Sequence, residues 1–107
     1  MYARQVSMEL RPNGRADFTR KLESEILPLL RKQKGFKDEI TFVSPKGKNV
    51  VAVSLWENKE SAEAYSHGPY AEVTKILSKL VQGTPRVKNF EVANSTFHNI
   101  AAKLKAA

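Results

Sequence analysis

Residues 50–81, VVAVSLWENKESAEAYSHGPYAEVTKILSKLV, decide how this chain reads. They open as an apolar run that closes on the only tryptophan, Trp56. Val51, Val53 and Leu55 form one row of that run, while Val50, Ala52 and Trp56 lie with Ser54 on the other. Side chains of a strand alternate between faces, so a strand over about residues 49–57 needs cover on both sides. Asn58 then suits the N-cap of a short helix through about Ser66. Gly68 and Pro69 break that helix, and Pro69 fits the first turn of the next. Tyr70, Val73, Leu77, Leu80 and Val81 supply the apolar stripe of this second helix.

Upstream, Ser44-Pro45-Lys46-Gly47 is a compact turn, preceded by FKDEITFVS with Ile40 and Phe42 on one face. So short a link makes the strand at Phe36–Ser44 an antiparallel neighbour of the central one. Further upstream, Phe18, Leu22, Ile26, Leu29 and Leu30 mark a helix from Arg15 to about Lys34. Pro28 predicts a kink or a division into two pieces, and Gly35 a C-terminal cap. ARQVSMEL at the start puts Val6, Met8 and Leu10 on one face of a strand and Gln5, Ser7 and Glu9 on the other. Downstream, Gly83-Thr84-Pro85 turns the chain into a fourth strand, Val87 to His98. The order βαββαβ is that of a ferredoxin-like α+β unit with a four-stranded antiparallel sheet. Two helices cover one sheet face, so the second apolar row of the central strand predicts a homodimer related by a two-fold axis.

At 107 residues the chain is expected to form one domain, with its core over about residues 3–98 and a tail at 99–107. Such a domain buries roughly two-thirds of its unfolded surface, enough for one core but not for a deep private pocket as well. A sizeable ligand site is therefore expected to be shared with a second copy. With no cysteine, disulfides, thiolate metal sites and cysteine nucleophiles are excluded, and with two histidines no structural metal site is expected. The opening MYARQVSMELRPNGR has no apolar signal-peptide region, and nothing approaches the roughly 18 apolar residues of a membrane span. The expectation is a cytoplasmic protein. The net charge of +7 raises nucleic acid as a partner, but seven of the eighteen basic residues lie between Arg15 and Lys37, on one helix and its end. That reads as a solvated face with a favourable helix terminus. The strand NVVAVSLW also carries aliphatic residues where base-stacking rings would have to be.

LWENKESAEAY followed by SHGPYAEV resembles the antibiotic biosynthesis monooxygenase type domains of the dimeric α+β barrel superfamily. In these a Trp ends strand three, and a His and a Pro precede the second main helix. The resemblance spans about residues 3–98 and implies paired sheets forming a barrel with helices outside. It also implies a cofactor-independent monooxygenase acting on a small phenolic or polycyclic aromatic substrate. The alternative is a non-catalytic small-ligand-binding or stress-related barrel. On the first reading His67 is the general base, and Trp56 with Tyr65 or Tyr70 orients the substrate. Gln5, Ser7, Ser54, Asn94 and His98 are candidate substrate-binding groups. The competing roles are a core or interface Trp56, a surface His67 and a packed Tyr70. A pocket of roughly 300 Å³ or more reaching Trp56 and His67 would favour a ligand site. The haem-degrading branch uses an Asn on strand one, a helix Trp and a His ten residues on. Here strand one offers Gln5 and Ser7, while Tyr65 and Lys75 stand at the other two places, so haem degradation is not expected.

Overall fold

Strict alternation carries the first strand, β1 (Tyr2–Leu10), whose even-numbered residues from Arg4 to Leu10 are all buried. The computed structural model describes residues 1–97. After β1 come α1 (Arg15–Lys21), a π-helical turn (Leu22–Ile26) and α2 (Leu27–Arg31). Strands β2 (Phe36–Val43) and β3 (Asn49–Trp56) follow, then α3 (Lys59–His67), α4 (Tyr70–Ser78) and β4 (Val81–Glu91). The four strands form one antiparallel sheet in the order β2-β3-β1-β4. This is the expected ferredoxin-like arrangement, and β2 and β3 are joined by the expected hairpin.

Turn chemistry accounts for the connections. Arg11 to Gly14 closes with Gly14 N–H donating to Arg11 C=O at 2.9 Å. Pro12 fits its second position, and Asn13 takes the left-handed φ of 60° at its third, where asparagine is tolerated. The Asn58 carboxamide oxygen accepts the Ser61 N–H at 2.8 Å, which makes Asn58 the N-cap of α3 as expected.

The first helical run falls into two pieces near Pro28, as expected, because the turn before the proline widens. Leu27 N–H donates to Leu22 C=O five residues back, which makes room for the proline ring that would otherwise crowd the preceding turn. The run ends at Arg31, so Gly35 is not its cap. Gly35 instead takes φ +83° where the chain passes α3, and a Cβ there would fall 2.3 Å from Ser61 Oγ. The helix α4 stops at Ser78, and β4 begins already at Val81 and ends at Glu91, short of the expected end at His98. Gly83-Thr84-Pro85 forms a bulge within β4, standing opposite Met8 between the pairs Ser7–Arg86 and Glu9–Gln82. Gly83 supplies φ +73°, and Pro85 has no N–H to leave unpaired. Bulges use the same residues as turns, which is why this one read as a turn.

All the helices pack on one face of the sheet. Val6, Met8, Val50 and Trp56 point into that layer and meet Phe18, Ile26, Leu30, Val73 and Leu77 in a single core. The opposite face carries Gln5, Val53 and Ile40 in one cross-strand row and Ser7, Val51 and Phe42 in the next. Among the described residues nothing covers it: Ile40, Phe42 and Phe90 are 47%, 55% and 48% exposed. Among the described residues no helix is long and apolar enough to cross a membrane.

Candidate functional site

Cross-strand partners share a face, so the register assembles a polar row beneath the helices. Glu39 of β2 lies beside Ser54 of β3, Ser54 beside Arg4 of β1, and Arg4 beside Asn89 of β4. The rows on either side are Thr41, Ala52, Val6 and Val87, and Tyr2 with Trp56. Between the polar row and the helices lies a cavity of ≈ 50 Å³ open to the centres of water molecules. Its floor includes Arg4, Glu39 and Ser54, and its roof includes Tyr65, Tyr70 and apolar side chains such as Ile26 and Leu77. Leu22 and Ile26, the two ends of the π-helical turn, both face it, so the widening before Pro28 shapes the cavity wall.

Arg4 dominates the electrostatics. It is only 3% exposed, and its guanidinium carbon lies 4.4 Å from the Tyr70 ring centre and 5.2 Å from that of Tyr65. Both contacts are cation–π. Among the described residues no hydrogen bond or ion pair uses its N–H groups, and neither tyrosine hydroxyl has a hydrogen-bond partner. Burial pushes the Tyr65 phenol well above its ordinary range, against the pull of the Arg4 charge, so Tyr65 is a neutral donor. Burial also raises Glu39, with a hydrogen bond from Thr41 acting the other way. A desolvated carboxylate holds a proton more tightly than an exposed one and is a stronger base when ionised.

Of the expected site residues, the structure brings Tyr65, Tyr70 and Ser54 to this cavity. Trp56 does not line it: fully buried, Trp56 stacks on Tyr65 at 4.9 Å and donates its indole N–H to Ser54 Oγ at 2.8 Å. Its one donor is engaged, so it braces the roof from behind and orients no ligand directly. Exposed His67 ends α3 outside the cavity, because the helix turns its Ala62–Tyr65 face inward. Gln5 and Ser7 lie on the uncovered sheet face, opposite to the cavity, because Arg4 and Val6 take the covered one. Exposed Asn94 follows the end of β4 and is not in the lining, and His98 falls outside the described residues. The cavity is lined by residues of one chain and is smaller than the pocket of roughly 300 Å³ that would favour a ligand site. Sequence reasoning missed Arg4 and Glu39. The signal for Arg4 was present: a charge two residues before Val6 continues the apolar row of β1. Among the described residues no cluster of His, Cys, Asp and Glu could hold a metal.

The fold recurs in solved structures. A protein of unknown function from Nitrosomonas europaea, NE2512, superposes with a TM-score of 0.72 at 20% identity, covering 99% of this chain and 95% of that one. The monooxygenase ActVA-Orf6 of Streptomyces coelicolor, solved with nanaomycin D, gives a TM-score of 0.76 at 19% identity over 88% of each chain. SnoaB, a cofactor-independent oxygenase from Streptomyces nogalater, gives 0.65 at 14% identity, covering 89% of this chain and 95% of its own. No curated protein matches the chain. Residues 1–75, from β1 into α4 and including every polar residue of the cavity floor and roof, match the antibiotic biosynthesis monooxygenase family, and the chain belongs to it.

Proposed function

We propose that this protein is a cofactor-independent monooxygenase of a small phenolic or polycyclic aromatic substrate, working in the Arg4 cavity as a homodimer. The observation that carries the reading is the buried guanidinium of Arg4, with N–H donors that no described residue engages. In this chemistry the substrate itself supplies the electrons. Loss of a phenolic or benzylic proton creates an oxyanion, which Arg4 and the tyrosine hydroxyls stabilise. The electron-rich anion reduces dioxygen, one oxygen atom is retained as a quinone carbonyl, and the other leaves as water. An anthrone methylene, for example, loses two hydrogens and gains one oxygen. The base is Glu39, the carboxylate of the lining, which takes the role expected of His67. Family membership and the oxygenase activities named for ActVA-Orf6 and SnoaB favour this reading. The uncovered apolar sheet face, with Ile40, Phe42 and Phe90 about half exposed, favours pairing with the same face of a second copy.

The small cavity favours a second reading, a non-catalytic barrel that binds a small ligand, because fused rings need the helices to move away from the sheet. Oxygen uptake decides between the two. A panel of dihydroxynaphthalenes and anthrone, measured against a protein-free blank, should show protein-dependent consumption. Arg4→Met should lower it by about 10²-fold or more, as for other preorganised oxyanion donors. No uptake with any member of the panel would leave the binding reading.

A further inference from the structure

Among the described residues Arg4 is the only charged side chain that is fully buried. An uncompensated buried charge is costly, and the groups nearby do not answer it. The tyrosine rings stack on the guanidinium but accept none of its N–H bonds. Glu39 is two strands away with Ser54 between and forms no ion pair with Arg4. No described residue neutralises Arg4, so the site is built to receive a negative charge from a ligand. A carboxylate fits it better than a phenol. Its two oxygens match the guanidinium fork, and it is already ionised at neutral pH, whereas a phenol must first lose a proton.

Size narrows the class further. A cavity of ≈ 50 Å³ open to water centres has room for about three to five waters, the bulk of one six-membered ring and not of three fused ones. The remainder of the lining, Val6, Met8, Ile26 and Leu30 among it, is apolar and suits a ring face. We infer that the cavity binds a single-ring aromatic carboxylate of the benzoate type, with the carboxylate on Arg4 and the ring against the apolar wall. This deepens the proposed function by naming a class of acid, hydroxybenzoates included. It rests on the same cavity being the ligand site, but not on oxygen chemistry taking place there.

The test is calorimetric titration of the full-length protein with benzoate and 2-hydroxybenzoate, each against its neutral, nearly isosteric amide. The acids should bind at least about tenfold more tightly than the amides, the margin of a hydrogen bond to a charged group. Arg4→Met should erase that preference, and Arg4→Lys should keep part of it. If Arg4→Met fails to fold, the acid-to-amide ratio in the wild type and in Arg4→Lys decides alone. Equal affinities, no saturable binding of either acid, or a preference that survives in Arg4→Met would overturn the inference. An acid preference without oxygen uptake would sink the oxygenase reading and leave this one standing. Uptake by uncharged phenols with no acid preference would do the reverse.

Discussion

The two faces of the sheet are built from similar residues and meet different fates. On β3, Val50 and Trp56 are fully buried beneath the helices, while Val51, Val53 and Leu55 on the other side stay half-buried. On β2 the contrast is sharper, with Val43 packed against the core and Phe42, its neighbour in sequence, 55% exposed. Hydrophobicity alone does not distinguish the rows. What separates them is that the described residues supply helices for one face only. The covered face also buries a charge, Arg4, whereas the charges of the uncovered face, such as Arg86 and Lys88 beside Ser7 and Gln5, are exposed. A finished face that buries a cation is where a ligand belongs, and an unfinished apolar face is where another protein surface belongs.

The largest test of this contrast is Trp56→Ala. It removes a fully buried ring stacked on Tyr65 and edge-on to Phe36, and should lower stability by about 3–5 kcal/mol in urea unfolding. A loss below about 1 kcal/mol would mean that the covered face is not the rigid one.

Next comes Val53→Asp on the uncovered face. Wild-type protein should sediment as a dimer at micromolar concentration. The variant should weaken that dimer by at least about 2 kcal/mol, because a carboxylate would be buried without a partner. A wild-type monomer, or a soluble variant dimer of unchanged affinity, would break the proposed pairing and leave the apolar row on β3 unexplained.

Glu39→Gln gives the smallest effect and sharpens the reading of the covered face through pH. Burial raises the folded-state pKa of Glu39 above the ordinary 4.5, so the native state holds this proton more tightly than the unfolded chain does. Stability contributed by this group therefore falls as pH rises from about 4.5 through the folded value, and stays lower above it. Removing the charge should make Glu39→Gln more stable than wild type at pH 7 to 8, with the advantage fading as pH approaches 4.5. The glutamine oxygen can still accept the Thr41 hydrogen bond, so the comparison isolates the charge. Parallel stability curves for the two proteins across that range would show that Glu39 is not desolvated.

Much of the fold was legible because it rests on local chemistry. Alternation identified β1 and β2, a run apolar on both faces identified β3, the Asn58 side chain marked the start of α3, and a short Pro-Gly turn demanded the hairpin. The boundaries hardest to read, apart from the end of β4, involve proline or glycine, whose restrictions suit several structures equally well. Pro28 can end, kink or widen a helix, and Gly83-Thr84-Pro85 can make a turn or a bulge; packing against neighbouring elements selects among them.

The site was legible only in part. Tyr65 and Tyr70, like His67 and Trp56, were chosen for what their side chains can do; the two tyrosines reach the cavity because they also lie on the inward faces of their helices. The sequence by itself determined that β1 has two rows, that one of them begins at Arg4, and that β3 is apolar on both sides. Only the tertiary structure decided which rows the helices cover, and so whether a cavity opens toward Arg4 or toward Gln5. A period of two fixes alternation but not direction, which follows from where the connections deliver α1 and α4. The same holds for the contact between Arg4 and Tyr70 at 4.4 Å. Those residues are brought together by the packing of α4 on β1, and no local pattern near either one encodes it.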